Sequence, residues 1–279
     1  MITSCANSKV KRIVALQEKS RNRAKENVFI AEGLKMFEEA PLSAIREVYI
    51  EETVADALEN GELQRTDALE KWKACERDGI PVETVNREVL LKMSDTQSPQ
   101  GVLCVIERHS YDVKEMVTVA IRRKQESGQS PLFLLLEDIQ DPGNLGTMIR
   151  TAEGAGADGV IMSRGTVDIY NPKTIRSTMG SLYRVPFVYT DALSEVIALL
   201  QKEEIKVYAA HLKGEKYYHQ FSYKEGAAFL IGNEGNGLKK ETADLADCYL
   251  KIPMEGKLES LNASVAAALL MYQAAIGKF

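Results

Sequence analysis

The sequence contains little of what a metal site, a disulfide framework or a membrane segment requires. Its four cysteines are scattered through 279 residues without a CxxC pair, and there are only three histidines. Neither a metal site nor a disulfide framework is therefore predicted, and a reducing cytoplasm is the expected compartment. The longest apolar stretches, near 132–136 and 265–271, fall far short of the roughly 18 residues of a membrane span. Residues 13–16 are too few for the apolar region of a signal peptide.

The composition is that of an ordinary globular protein. Hydrophobic residues make up 45% of the chain and charged residues 27%, which excludes collagen-like and wholly disordered classes. At roughly 150 residues per domain, a chain of 279 residues predicts two domains, whose cores need no covalent cross-links.

Positive charge is concentrated at the N-terminus. The formal net charge of the chain is −5, but residues 1–30 hold seven lysines and arginines against two glutamates. A basic segment on an acidic body indicates local contact with a polyanion, although a solvated helix face is the more frequent reason for such a run. The cations are Lys9, Lys11, Arg12, Lys19, Arg21, Arg23 and Lys25.

Strands and helices alternate in the first part of the chain, which predicts a small α/β domain over residues 1–108. A polar stretch over 109–130 is predicted to be a linker with a helix over 113–124. The predicted strands of the small domain are 28–31, 47–50, 82–85 and 102–106. Its predicted helices are 7–26, 33–39, 66–77 and 86–93.

The strands become more apolar from residue 131 onward, which defines a second domain over 131–279. Near-continuous apolar strands joined by helices predict a parallel sheet covered by helices on both faces. The predicted strands are 132–136, 159–162, 186–189, 206–210, 228–231 and 248–252, and the last helix is 261–275.

Residues 154–159 match the dinucleotide-binding pattern G-x-G-x-x-G, but in the wrong context. That pattern requires glycines that follow a strand and open a helix, whereas these follow a predicted helix over 145–153 and lead into a strand. The glycines are instead expected to end the helix. A nicotinamide-dependent enzyme is therefore disfavoured.

Three other segments place glycines and polar residues directly after strands. The segment 137–150 contains Asn144 and Arg150 around a helix start, where doubly wound sheets bind ligands. In 229–238, three glycines surround Glu234, and in 252–264 a proline and a glycine precede the small-residue helix. Taken singly, these segments are equally typical of an ordinary turn, a tight loop and a helix cap.

In this order and spacing, the three segments resemble the signature motifs of the SpoU/TrmH family of SPOUT-class RNA methyltransferases. Those motifs read N-x-G-x-x-x-R, G-x-E-x-x-G and I-P-M-x-G-x-x-x-S-L-N-x-S, and the resemblance covers 131–279. Residues 29–33 and 96–101 are similar to the substrate-binding domain often fused ahead of it. The resemblance implies a trefoil knot near the C-terminus, S-adenosylmethionine bound in the knot, and a homodimer.

The implied reaction is methylation of a ribose 2′-hydroxyl in structured RNA, ribosomal RNA rather than tRNA by analogy. The implied catalytic residues are Arg150, Asn144, Glu234, Ser260 and Asn262. The implied cofactor contacts are Gly232, Ile252, Leu261, Ala210, Leu212 and Met254, and the RNA contacts are Lys9, Arg12, Arg21, Arg23, Lys25 and Glu32. A non-catalytic RNA-binding or ribosome-assembly factor with the same fold remains the alternative.

Arginine stays protonated in proteins, which makes Arg150 an unsuitable proton acceptor. We expect it instead to grip a phosphate and to donate to developing negative charge, with Glu234 orienting its guanidinium. His109, His211 and His219 are expected to be structural or surface residues.

Overall fold

A computed structural model describes residues 1–276, and contacts within the chain divide them into two units. The first unit contains 1–109 together with 168–183, and the second contains the rest of the described chain. The structure thus differs from the predicted boundaries, because 168–183 lie within the predicted second domain. Within the first unit, Arg23 pairs with Asp168 at 2.6 Å, and the rings of Phe29 and Tyr170 lie 4.9 Å apart.

Strands and helices alternate along the described chain, with bounds close to those predicted. The strands are β1 (Val28–Glu32), β2 (Ile45–Glu51), β3 (Val82–Val85), β4 (Val102–Glu107), β5 (Leu132–Leu136), β6 (Gly159–Ser163), β7 (Phe187–Thr190), β8 (Lys206–Ala210), β9 (Lys216–Tyr217), β10 (Ala227–Ile231) and β11 (Cys248–Lys251). The helices are α1 (Ser8–Glu18), α2 (Ser20–Glu26), α3 (Leu34–Glu39), α4 (Glu52–Glu59), α5 (Thr66–Arg77), α6 (Arg87–Met93), α7 (Val113–Ser127), α8 (Pro142–Gly154), α9 (Pro172–Thr178), α10 (Leu193–Lys202), α11 (Lys240–Ala243) and α12 (Ala263–Ala275).

The first unit is built on a mixed sheet in the order β1-β4-β2-β3. β4 runs antiparallel to both of its neighbours, and β2 and β3 are parallel. The apolar face of α1, formed by Val10, Ile13 and Leu16, is fully buried in a core shared with the sheet and α6. This burial explains why the N-terminal helix forms despite its many charges.

The predicted single helix over 7–26 is wrong, because the helix is interrupted at Lys19. Lys19 has extended backbone angles and separates α1 from α2. Side chains of α2 bind carbonyl groups at the end of α1: Asn22 donates to Ala15 O at 3.0 Å, and Arg23 donates to Leu16 O at 2.8 Å. Ala15 O also keeps its main-chain donor, Lys19 N, whereas the bond from Arg23 replaces the donor that a continuous helix would supply to Leu16 O.

The second unit contains a fully parallel sheet in the order β7-β6-β5-β10-β8-β11-β9. Every residue of the central strands β5 and β10 is buried. α7 and α10 contribute to the core on one face, and α12 packs against β5, β10 and α8. The predicted α/β fold with a parallel sheet is confirmed, and its strand order brings the carboxyl ends of β5, β8, β10 and β11 together.

The helix predicted within the linker forms as α7, but it belongs to the core of the second unit. Its Met116, Val117 and Ala120 are buried against the sheet. The side chain of Asp112 caps its first turn, and Gly128 ends it in the left-handed conformation. A helix with a buried apolar face is a structural part of the unit rather than a free connection.

The glycines at 154–159 end a helix, as predicted. α8 runs to Gly154, Gly156 has a φ of +64°, and β6 begins at Gly159. The glycine pattern therefore does not stand at the start of a helix, where a pyrophosphate is bound.

No helix in the described residues is long and apolar enough to cross a membrane.

Candidate active site

One cavity of about 1080 Å³ lies at the carboxyl ends of β5, β8, β10 and β11. Segments from all three motifs line it. All six predicted cofactor contacts are among its lining residues: Ala210, Leu212, Gly232, Ile252, Met254 and Leu261. Four of the five predicted catalytic residues line it as well: Asn144, Glu234, Ser260 and Asn262. Their roles stay predictions, but the structure brings them to one place.

Arg150 is the predicted catalytic residue that does not line the cavity of its own chain. It is exposed on α8, and it makes no hydrogen bond or ion pair with any residue of the described chain. Asn144 lies six residues earlier, in the first turn of α8. The expectation that Glu234 orients Arg150 is not met within one chain, because the carboxylate of Glu234 is engaged elsewhere.

Glu234 joins the second motif to the first. Its carboxylate accepts hydrogen bonds from the amides of Gln140 and Asp141 at 3.0 and 3.1 Å and from Asn144 Nδ2 at 3.0 Å. Burial acts to raise the pKa of Glu234, but these hydrogen bonds outweigh it and hold the pKa below its ordinary value. The carboxylate therefore stays charged and fixes the loop that precedes α8.

Asn262 joins the third motif to the same network. Asn262 Nδ2 donates to Asn144 Oδ1 at 3.0 Å, and Asn262 Oδ1 accepts from the amide of Ser264 at 2.9 Å. Asn262 is thus the N-cap of α12, the position where a side-chain oxygen stabilises a helix start. Ser260, two residues earlier, lines the cavity together with Asn262.

Hydrogen bonds within the glycine loop after β10 join its two ends. Asn233 and Gly237 exchange two backbone hydrogen bonds, and Asn233 Oδ1 accepts from the amides of Gly235 and Asn236. A Cβ at Gly232 would lie 2.2 Å from the carbonyl carbon of Gly237. The close neighbour that requires glycine at position 232 is therefore the loop's own main chain.

Asp138 does not line the cavity but supports a loop that does, and sequence reasoning missed it. It has a φ of +55° and lies beside three loops: Lys239 Nζ is 2.7 Å from its Oδ2, Ser163 Oγ donates to its Oδ1 at 2.7 Å, and Asn233 Nδ2 donates to its carbonyl oxygen at 2.9 Å. The hydrogen bond from Lys239 lowers the pKa of Asp138, and Ser163 adds to this effect. Asp138 therefore connects the ends of β5, β6 and β10.

His211, which was expected to be a structural or surface residue, lines the cavity between the predicted cofactor contacts Ala210 and Leu212. Its ring stacks on Tyr249 at 4.9 Å, and its Nδ1 accepts from the amide of Lys213 at 3.1 Å. This geometry indicates that His211 supports the loop after β8.

Apart from Arg23, the cations of the N-terminal segment fall into two groups. Lys9 pairs with Glu83, and Arg12 pairs with Glu26 and Glu47, so these cations are partly neutralised. Lys11, Lys19, Arg21 and Lys25 are exposed, and none of them pairs with an acidic residue of the described chain.

Arg23 is a correction to the predicted RNA contacts. It is 4% exposed, and its guanidinium is bound by Leu16 O, Gln17 O and Asp168. A phosphate cannot reach it without breaking this structure. Glu32 likewise accepts hydrogen bonds from Asp95 N and Thr96 Oγ1, which fixes the loop before β4.

Comparisons with known proteins agree with this arrangement. Residues 131–272 match the model of the SpoU rRNA methylase family, and residues 7–104 match that of the MRM3-like substrate binding domain. The chain is 34% identical to the 23S rRNA (guanosine(2553)-2′-O)-methyltransferase RlmP of Bacillus subtilis over 97% of each chain.

Two solved structures share the fold. The AdoMet-bound rRNA methyltransferase of Sinorhizobium meliloti superposes with a TM-score of 0.81 and 29% identity, covering 100% of this chain and 98% of that one. The SpoU methyltransferase AviRb of Streptomyces viridochromogenes superposes with a TM-score of 0.78 at 24% identity, covering 98% of each chain. The resemblance predicted from the three motifs is confirmed: the chain belongs to the SpoU rRNA methylase family.

Proposed function

We propose that the protein transfers a methyl group from S-adenosylmethionine to a ribose 2′-hydroxyl in structured RNA, and that this RNA is ribosomal. The observation that carries the proposal is the convergence of all three motif segments on one cavity. Family membership and the activity of the Bacillus subtilis relative support the same reaction. The match to a substrate-binding domain in the first unit supports RNA as the substrate.

The cavity fits S-adenosylmethionine in size and chemistry. Its volume of about 1080 Å³ is ample for a ligand of this size, since small-molecule pockets span roughly 300–1,000 Å³. Aliphatic side chains of Ile252, Leu261 and Met254 offer an apolar wall, while Glu234 and Glu259 place carboxylates at the lining. When bound, the cofactor supplies an electrophilic methyl group on a positively charged sulfur.

Asn144, Glu234 and Asn262 act by holding the three motif loops in register. One of their mutual hydrogen bonds joins the first motif loop to the second, and the other joins the first to the third, so the network fixes the positions of the lining residues. Arg150 acts on RNA: its guanidinium binds a phosphate and donates to the ribose oxygen as negative charge develops there. The roles of these residues are part of the proposal.

A homodimer brings Arg150 to a cavity. α12 presents an apolar stripe of Val265, Leu269, Tyr272 and Ile276, whose spacing places them on one face of the helix. α12 packs against α8, the helix that carries Arg150. A second copy that covers this stripe places Arg150 of one chain close to the cavity of the other. The exposure of Arg150 and of this stripe supports the proposed shared site.

A trefoil knot is also part of the proposal. α12 follows β11 near one edge of the sheet but packs against the central strands β5 and β10. The segment that connects β11 with α12 must therefore cross back past the loop that follows β10, and both line the same cavity. Threading of this segment through that loop is the topology that the family implies.

We also propose that this reaction takes place in the reducing cytoplasm, where free thiols persist; all four cysteines of the chain are free.

The direct test incubates the purified protein with S-adenosylmethionine and with ribosomal RNA or tRNA transcripts, and then maps 2′-O-methylated nucleosides by mass spectrometry. We expect one modified position in ribosomal RNA, none in tRNA, and unchanged activity in EDTA. RNA binding without methyl transfer on any transcript would favour the alternative of an assembly factor.

A further inference from the structure

A second cavity, of about 540 Å³, lies in the first unit beside the residues 96–101 that the sequence analysis singled out. None of the chemistry proposed above uses it. Leu34, Val54, Leu63 and Pro99 form its apolar lining, and the polar residues Glu51, Arg65, Arg87 and Gln100 complete it. Such a combination of apolar walls with a few convergent polar groups is typical of a binding site.

Glu51, at the end of β2, has one carboxylate oxygen that the described residues leave without a hydrogen-bond donor. Its side chain is only 8% exposed, yet it lines the cavity. One oxygen, Oε2, accepts from Arg87 Nη1 at 2.9 Å, while Oε1 accepts no hydrogen bond from the described residues. Glu51 Oε1 is open to solvent at the cavity and is available as an acceptor there. A ligand that brings an N–H group can therefore bind to it.

Arg87 and Gln100 supply donors next to this acceptor. Arg87 is held by Glu51 and by Pro99 O at 3.2 Å, but its side chain remains 48% exposed. Gln100 is exposed, and its side chain makes no hydrogen bond with the described residues. A guanidinium also offers a planar face on which an aromatic ring can stack.

The loop that carries Gln100 is fixed by close backbone packing. The amide of Glu51 donates to Gly101 O at 2.7 Å, and Gly33 N donates to Val102 O at 2.8 Å. Both glycines have positive φ, and a Cβ at Gly101 would lie 2.3 Å from Val54 Cγ2. The cavity is thus a built feature, since its walls depend on glycine at these two positions.

We propose that this cavity binds one unpaired nucleobase of the RNA substrate, guanine in the first place. Guanine presents two adjacent donors, N1–H and N2–H, to the free oxygen of Glu51, and its O6 accepts from Arg87 or Gln100. Single-stranded bases of RNA are commonly bound in this way, by edge hydrogen bonds and by stacking on arginine. Arg65 and Arg87 could also attract a phosphate, and the test below distinguishes a phosphate from a base.

The proposal rests on RNA being the substrate, but its test does not require methyl transfer. The ¹⁵N-labelled full chain is titrated with GMP, AMP, CMP and UMP, and with ribose 5-phosphate, which has the sugar and phosphate but no base. We expect GMP to shift the amide signals of Gly33, Gln100 and Gly101 at the lowest concentration. Equal shifts with ribose 5-phosphate, or no shift of these signals with GMP, would overturn the proposal.

Glu51→Gln tests the acceptor, and Glu52→Gln is its matched control because Glu52 is exposed and lies outside the cavity. The dissociation constant for GMP should rise about tenfold in Glu51→Gln, the range for loss of a good base-edge contact, and stay unchanged in Glu52→Gln. If Glu51→Gln does not fold, the same GMP titration compares Gln100→Ala, in the cavity, with its control Gln97→Ala. Equal dissociation constants for GMP in the cavity variant and its control would refute the site.

The two proposals fail separately. A protein that methylates RNA but does not bind GMP retains the proposed function and loses the base site. A protein that binds GMP at Gly101 but does not methylate any RNA retains the base site as part of an RNA-binding factor.

Discussion

Asn144 donates a hydrogen bond to Glu234 across 90 residues of sequence, at 3.0 Å. The same Asn144 side chain accepts from Asn262, so one residue of each motif belongs to a single hydrogen-bonded chain. This chain explains why asparagine and glutamate stand at these positions: the amide has both a donor and an acceptor, and the carboxylate has acceptors only. Each substitution in it leaves a partner unsatisfied.

Glu234→Gln should destabilise the site and reduce methyl transfer. Glutamine has one acceptor oxygen, so its NH₂ group would face a donor in either orientation: Gln140 N at the Oε2 position, or Asp141 N and Asn144 Nδ2 at the Oε1 position. Because Glu234 is exposed and water can replace part of its hydrogen bonding, we expect a loss of about 0.5–1.5 kcal/mol in the free energy of unfolding, measured by urea denaturation. Glu241→Gln, on an exposed residue of α11, should change it by less than about 0.5 kcal/mol. Equal stability of the two variants would contradict the network.

The contribution of Glu234 should depend on pH. Its pKa is lowered in the folded protein, so its stabilising effect is complete above the pKa of the unfolded chain. The effect should be lost as the pH falls through the lower folded value. The difference in unfolding free energy between the wild-type protein and Glu234→Gln is therefore expected to shrink below about pH 4.5. A difference that stays constant between pH 7 and pH 4 and below would show that the charge is not involved.

Most of the fold followed from the sequence, because buried strands leave a clear apolar pattern. The strands at 82–85, 132–136 and 206–210 were predicted with the bounds that the structure has. The broken N-terminal helix was not predicted, since nothing local to Lys19 stops a helix; the break is stabilised by Asn22 and Arg23 seven residues from their acceptors. The helix at Glu52–Glu59 was also missed, because it follows β2 without an intervening turn residue.

The site was predicted less completely than the fold. Residues that carry motif letters, such as Gly232 and Asn262, were found at the cavity. Asp138 was missed because its role depends on a left-handed backbone and on partners 25 and 101 residues away, which no spacing reveals. Arg23 was misassigned for a similar reason: its burial comes from Asp168, and charge patterning treats all cations alike.

Gly232→Ala should abolish binding of S-adenosylmethionine. The added Cβ would lie 2.2 Å from Gly237 C and 2.3 Å from Leu238 N, so the loop that lines the cavity must shift. Gly235→Ala is the matched control, because its Cβ meets its nearest neighbour, Asn233 Oδ1, only at 3.6 Å. Calorimetry should detect binding in the control and none in Gly232→Ala, and EDTA should leave the control unchanged. Retained binding in Gly232→Ala would place the cofactor elsewhere.

Arg23→Ala should destabilise the first unit, whereas Arg21→Ala should not. Removal of Arg23 leaves Leu16 O and Gln17 O without donors and Asp168 without its ion pair. Breaking a buried pair typically costs about 3–5 kcal/mol, and the partial exposure of Asp168 places the expectation at the lower end of this range. Thermal denaturation of the two variants decides the question, since Arg21 is exposed and changes there stay within about 0.5 kcal/mol.

Arg21 and Lys25 should instead contribute to RNA affinity. Both are exposed, and reversing their charges removes phosphate contacts, which dominate the salt dependence of binding. Arg21→Glu with Lys25→Glu should weaken RNA binding and flatten its dependence on salt concentration, while binding of S-adenosylmethionine stays unchanged. An unaltered salt slope would identify the run as a solvated helix face.

The dimer interface is expected on α12. Val265 is 47% exposed on the apolar stripe, and Val265→Asp would place a charge where a second copy is proposed to bind. Sedimentation should show a monomer that has lost methyl transfer. Leu245→Asp alters a residue that is 42% exposed elsewhere in the second unit and should remain dimeric and active. A wild-type monomer at the working concentration would refute the shared site directly.

Mixing two inactive variants tests which chain supplies Arg150. Arg150→Ala removes the guanidinium, and Ile252→Trp overfills the cavity that Ile252 lines. After equal mixing and subunit exchange, half of the dimers contain one chain of each kind. If Arg150 serves the cavity of its partner, one of the two sites in each mixed dimer combines an intact arginine with an intact cavity, and the other combines both lesions. About a quarter of the wild-type activity should then return. If arginine and cavity belong to the same chain, each site of a mixed dimer carries one lesion and activity stays absent.

Arg150→Lys adds a test of the chemistry: a lysine lacks the bidentate fork, so kcat should fall while binding of RNA and S-adenosylmethionine is retained. Near-normal turnover in Arg150→Lys would reduce the role of Arg150 to a simple positive charge.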